Sequence, residues 1–285
     1  MKKPYKEFSL DKVIKEIDIK EELPSNTKIL LETMGLLRSS KSNIRDIKER
    51  ILLDESLTFF ILKTANSAYY GAVQEISTLS HAITFLGYSN LRTILMTYFT
   101  KNLLNKIKDP KLQLNQWRHS IFVAFASRIF SNDYDICDPE EGYIAGLLHD
   151  IGKALLIKEF QERYMSVIEK TNALKNPSVE NEKEIFGYTH LEVGYLLAKA
   201  WKMSKTITYG ILYHHNPKIV KSETKLPAII SLYDKLASEK GYSLYAPRKE
   251  NIEEELEILS IGESEAERKM YEIQEEIDEF IKLYG

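Results

Sequence analysis

Five of the six histidines in this 285-residue chain fall between positions 119 and 215, interspersed with aspartates. In order they read His119, His149-Asp150, His190 and His214-His215, with Asp234 a little further on. Neutral imidazole nitrogens and carboxylate oxygens together suit borderline divalent metals, so iron, manganese or zinc is the cofactor this set implies. His149 and Asp150 are expected side by side on one helix, about 100° apart, where both can face a cation lying between them. Lys153 stands one turn beyond His149, where its ammonium could meet a phosphate oxygen. His190 is expected in the first turn of a helix, where the positive dipole end favours the neutral, ligating ring. His214-His215 precedes Asn216-Pro217, so the backbone there can splay the two rings freely. A lone histidine such as His119 beside Trp117 is more often packed or solvated than a ligand; the ordered set is far more specific.

The elements that must position these residues are helical throughout. Ile29, Leu30, Met34 and Leu37 share one helical face, and Ile44–Leu52 and Leu57–Ala68 form an amphipathic pair. Asp54 is the expected N-cap of the second, and Asn66-Ser67-Ala68-Tyr69-Tyr70-Gly71 closes it. In that closing segment, Tyr69 and Tyr70 read either as turn packing or as anchors for a partner protein. A helix from Ser77 is expected to stop near Gly87, and another runs to about Leu104. Asp138-Pro139-Glu140-Glu141 is a strong helix start, and the apolar spacing continues it through Ile144, Leu147, Leu148, Ile151 and Leu155. Residues 171–183 are polar and read as a loop. Thr189 to Glu192 has the capping-box pattern, Ile207 to Tyr213 is helical, and Pro227 opens the helix bearing Asp234. No strand pattern of useful length occurs, and the expected fold class is all-α.

Composition agrees: 44% hydrophobic residues supply a core, and only 12 Gly and 8 Pro punctuate the chain. No run of 18 apolar residues suggests a membrane span, and no apolar run follows the charged start as a signal peptide requires. Cys137 is the single cysteine, which fits a reducing cytoplasm. The net charge of −3 conceals a tail, residues 250–285, at net −10. Its apolar positions, Ile252, Leu256, Leu259, Met270, Ile273, Ile277 and Ile281, recur at helical spacing. The tail is therefore expected to be helical and to cover the body or a second chain, which makes it the candidate oligomer surface. No basic-aromatic interleaving argues for nucleic acid.

Gly146-Leu147-Leu148-His149-Asp150-Ile151-Gly152-Lys153 resembles the HD signature of metal-dependent phosphohydrolases. The later His190, His214-His215 and Asp234 are similar to extra ligands of the HD-GYP phosphodiesterases, which cleave cyclic dinucleotides. The chain departs from that group twice. Asn115 stands where those enzymes carry a Glu ligand, and no Gly-Tyr-Pro follows His214-His215. The fuller resemblance, over roughly residues 20–240, is to the HDOD (HD-related output domain) family. It rests on Leu23-Pro24, Asp54 to Thr58, Asn66 to Gly71, Ala82 to Gly87, Trp117 to Ser120, His190 to Gly194, Trp201 and His214 to Pro217, in that order. This resemblance implies a multi-helix HD-like bundle with an N-terminal helical subdomain, acting in bacterial signal transduction. The organisation expected is a lead-in at 1–22, an HDOD domain at 23–240 with halves 23–108 and 109–240, and an acidic tail at 248–285. The function implied is that of a stand-alone regulatory protein acting through a signalling partner or a small nucleotide. The alternative is a metal-dependent phosphohydrolase, in which Asp150 holds the metals and Lys153 neutralises phosphate charge.

Overall fold

A computed structural model of the chain describes residues 27–39 and 41–284. The expected lead-in at 1–22 and the Leu23-Pro24 opening lie outside the described residues. Every regular element among the described residues is a helix, and none of them is long and apolar enough to cross a membrane. The chain divides into two compact units, one of residues 103–266 and one containing residues 27–102 together with 267–284.

The latter unit opens with α1 (Thr27–Arg38), α2 (Ile44–Ile51), α3 (Glu55–Ala65) and α4 (Leu79–Leu104). Asn43 caps α2 through a reciprocal box with Asp46, which satisfies backbone donors that the first turn leaves unpaired. Asp54 caps α3 by accepting from the Leu57 N–H at 3.0 Å, and its carboxylate also accepts from the Tyr98 hydroxyl at 3.2 Å. The helix stops three residues earlier than the apolar pattern predicts, at Ala65. There Asn66 takes over, its amide exchanging two hydrogen bonds with the backbone of Ile76 at 2.7 and 2.8 Å. Tyr69 and Tyr70 are half-buried and packed edge-on, which favours the structural reading of that segment over an anchor for partners. The expected stop near Gly87 appears as a break inside α4, where Gly87 has φ of 72°.

The other unit carries α5 (Pro110–Asp133), α6 (Pro139–Leu148), α7 (Ile151–Leu174), α8 (Ser178–Phe186), α9 (His190–Ala200), α10 (Lys205–Tyr213), α11 (Leu226–Glu239) and α12 (Glu253–Leu259). Asp109 and Asp138 cap α5 and α6, each ahead of a proline whose fixed φ suits the first turn. α6 lies close along α5 because glycines face it: a Cβ on Gly146 would sit 2.5 Å from the Val123 carbonyl oxygen. Phe122, Phe125, Phe130, Tyr143 and Tyr233 fill the space around this pair.

Two expectations fail here. The apolar rhythm from Ile144 to Leu155 predicts one helix, but the chain turns at His149-Asp150 between α6 and α7. The two residues therefore sit at a junction, where the chain changes direction. Residues 171–183, read as a loop, instead complete α7 and form the first two turns of α8. Ser178, Asn181, Glu182 and Phe186 make a buried face there, three of the four polar, which conceals the helix from an apolar-period reading.

The tail is helical, as α12 and, beyond the break at Gly262, α13 (Glu263–Tyr284). Of its stripe, Ile252, Leu259, Met270, Ile273 and Ile277 are buried and Leu256 and Ile281 half-buried, and Phe280 beside them is buried too. Phe280 meets Tyr69 at a 5.8 Å ring separation.

Candidate metal centre

The seven residues singled out by type and order gather on the unit of residues 103–266. His119 comes from the middle of α5, His149 and Asp150 from the α6–α7 turn, and His190 from the first residue of α9. His214 and His215 follow α10, and Asp234 projects from α11. Their donor atoms form two groups, each within 4.8 Å: His119, His149, Asp150 and Asp234 in one, His190, His214 and His215 in the other. Asp150 stands between them. Its Oδ2 lies 3.4 Å from His119 Nε2 and 3.5 Å from His149 Nε2, and its Oδ1 lies 3.3 Å from His190 Nε2 and 3.7 Å from His214 Nε2.

Four imidazoles are held in one tautomer by acceptors behind them. Nδ1 of His119, His149 and His214 donates to the carbonyls of Tyr242 (2.8 Å), Gly146 (2.7 Å) and Ile211 (2.8 Å). His190 Nδ1 donates to Glu182 Oε2 at 2.7 Å. These partners only accept, so each Nδ1 carries the proton and each neutral ring turns its Nε2 lone pair inward. The Nε2 atoms of His119 and His149 are 3.1 Å apart, and Asp150 Oδ1 is buried without a hydrogen-bond donor. Lone pairs and carboxylate oxygens this close repel one another unless positive charge lies among them. Metal-ligating histidines are oriented in this manner, and the donor set fits one or more divalent cations. The rings of His214 and His215 are 4.4 Å apart and tilted, so they pack on each other and are not freely splayed.

Without a cation, protons must answer that demand. Burial opposes a charge on His119, but hydrogen bonds and charge from Asp150 and Asp234 outweigh it and push the ring up to about 9. Burial, with only partial relief from Asp150, holds His149 down at about 3. Asp150 stays well below the usual carboxylate range because Lys153, His149 and the hydrogen-bonded histidines overcome the cost of its burial. A consequence for cation binding follows. Below pH 9 a ligating His119 must first lose a proton, so affinity should rise about tenfold per pH unit from pH 7 to 9 and flatten above. Cation dissociation constants measured across that range check this, and a flat profile would remove His119 from the ligand set.

A cavity of about 370 Å³ adjoins the cluster, lined by His119, Asp150, Lys153, His215, Asp234 and Tyr245 among others. Lys153 reaches it, yet its ammonium is bonded to Asp150 Oδ2 at 2.7 Å and is nearly buried. Asn115 donates to the Ser243 carbonyl at 3.1 Å. Sequence reasoning missed Glu182 and Gln116, whose amide nitrogen lies 3.5 Å from Asp150 Oδ2. It also missed the 242–245 segment, which supplies the Tyr242 carbonyl and the Tyr245 ring. A carboxylate centred on a buried helix face, eight residues before His190, was the available signal for Glu182.

An all-helical chain that brings histidines and aspartates from five parts of one unit onto a shared aspartate has relatives. Residues 23–217 match the HDOD domain family, and the chain belongs to that family. The matched span holds six of the seven cluster residues, together with Glu182; Asp234, the Tyr242 carbonyl and Tyr245 lie beyond it. His119, His149, Asp150, His190, His214 and His215 all fall inside. An uncharacterized protein of Treponema pallidum is 27% identical over 202 residues, which are 70% of this chain and 38% of the relative. The chain therefore spans well under half the length of that relative. The crystal structure of an HDOD domain protein of unknown function from Geobacter sulfurreducens has a TM-score of 0.76 at 26% identity, covering 94% of this chain and 97% of its own. A Shewanella amazonensis protein described as a candidate phosphohydrolase shares the fold, with a TM-score of 0.76 at 22% identity over 96% and 98% of the two chains.

Proposed function

We propose that this HDOD protein is a cytoplasmic signal-transduction component whose output depends on a divalent-metal centre and a small phosphorylated ligand, such as a nucleotide, in the adjoining cavity. The observation that carries the reading is the inward convergence of four Nε2 lone pairs on Asp150. Three buried or half-buried carboxylates, Asp150, Asp234 and Glu182, face a single ammonium, that of Lys153, and the excess negative charge suits a divalent cation. His119, His149 and Asp234 would hold one side of the centre, His190, His214 and His215 the other, with Asp150 serving both. When bound, divalent cations polarise phosphoryl oxygens and acidify water. Lys153 keeps Asp150 ionised and places positive charge on the cavity wall, and His215 and Asp234 bring the cluster to the cavity surface.

Hydrolysis of a phosphoester is the second reading, and the completeness of the donor set favours it. Asn115, bonded to Ser243 where the phosphodiesterases carry a ligand, argues against cyclic dinucleotides as substrates. Manganese-reconstituted protein should bind nucleoside monophosphates in calorimetry, while chelator-stripped protein and Asp150→Ala should not. Metal-independent binding would sink the first reading. Phosphate or alcohol release by the wild type, abolished in Asp150→Ala, would promote the second.

A further inference from the structure

The four inward-facing imidazoles do not have equivalent supports. His119, His149 and His214 lean on backbone carbonyls, whereas His190 leans on the carboxylate of Glu182. One oxygen of Glu182 accepts both the ring Nδ1–H of His190 at 2.7 Å and its backbone N–H at 2.8 Å. Two bonds to one residue fix both the side-chain rotation and the tautomer. The other oxygen accepts from the Tyr164 hydroxyl at 2.7 Å, and that hydroxyl meets the Tyr245 hydroxyl at 3.1 Å on the cavity wall.

Capping alone does not account for this carboxylate. The start of α9 already has a complete capping box, Thr189 with Glu192, and the Thr189 N–H donates to Glu192 at 2.7 Å. Core packing does not account for it either, since a fully buried ionised group is costly unless its partners require it. What Glu182 does reach is His190.

We propose that Glu182 is the positioning residue of the His190, His214 and His215 group: it aims His190 Nε2 at Asp150 Oδ1 and makes that ring a stronger donor to a cation. The proposal rests on the metal reading above. A carboxylate behind a ligating histidine typically changes metal affinity 10–100-fold when removed. Because Glu182 contacts none of His119, His149 and Asp234 by hydrogen bond, its effect belongs to one side of the centre.

The test is titration of the full chain with cobalt(II), followed by visible absorption and by competition with a chelator. The wild type should take up two cations. Glu182→Gln should keep one at wild-type affinity and hold the other about 10–100-fold more weakly. His190→Ala should weaken the same cation, and adding Glu182→Gln to it should change nothing further, which a general packing role would not produce. Should Glu182→Gln fail to fold, Tyr164→Phe, which leaves the carboxylate in place, should weaken that same cation to a smaller degree. Wild-type affinity for both cations in Glu182→Gln, or in Tyr164→Phe if that variant must stand alone, overturns the proposal and leaves the metal reading intact. Equal weakening of both cations also overturns it. A wild type that binds no cobalt overturns the metal reading, and this proposal with it.

Discussion

Asp150→Ala should abolish the stabilisation that divalent cations give the wild-type protein. A ligand at a hundredfold excess over its dissociation constant stabilises the folded state by about 2.7 kcal/mol. For a chain of this size each kcal/mol moves the melting temperature by about 2–4 °C, so cation-loaded protein should melt about 5–10 °C above chelator-stripped protein. Asp150 is the residue whose two oxygens face both donor groups. Removing it leaves two sets of histidines without the anion they share. Differential scanning calorimetry with manganese(II) or with chelator reads the effect directly. A shift in Asp150→Ala as large as in the wild type would show that the ions bind elsewhere.

Gly152→Ala should be nearly as damaging, for a steric reason. A Cβ at this position would lie 2.0 Å from the His190 carbonyl oxygen and 2.8 Å from its carbonyl carbon. Both are backbone atoms at the start of α9, and no flexible side-chain end is there to yield. Overpacking of a fixed interior commonly costs about 1–3 kcal/mol, and this contact belongs at or above the top of that range. Relief requires α7 and α9 to separate, which carries His190 away from Asp150. The variant should therefore lose both stability and cation affinity, as seen by urea unfolding and metal titration. Gly35→Ala supplies the contrast. Gly35 lies within α1 with nothing within 4 Å of an added Cβ, so there the same substitution should stabilise by about 0.4–1 kcal/mol. Equal destabilisation by both would refute the steric account.

The cluster was legible in the sequence because ligand chemistry depends on residue type, and His119, His149-Asp150, His190, His214-His215 and Asp234 carry theirs openly. Capping residues were legible for a similar reason: Asp54, Asp138-Pro139 and Thr189 act within a turn of where they stand. What escaped was decided at a distance. The turn at His149-Asp150 interrupts an apolar rhythm that runs through it unchanged, and its cause lies partly in the approach of Gly152 to His190, some forty residues on. α8 was hidden because its buried face mixes Ser178, Asn181 and Glu182 with Phe186, and polarity normally marks the outside of a helix. Those groups are buried for the sake of partners such as Thr171, Tyr164 and His190, which stand on other helices 8 to 18 residues away.

The cluster draws its members from His119 on α5 to Asp234 on α11, and the chain has a single cysteine, Cys137, with no second thiol to pair with. A cation gripped at both ends of that span would act as a removable cross-link. Tying two points roughly 100 residues apart restricts the unfolded chain by about as much as a disulfide closing a loop of that length, in the order of 4–5 kcal/mol on the chain-entropy account. The same tie would have to open before α5 and α11 could part, so metal supply would govern how long the protein survives proteolysis.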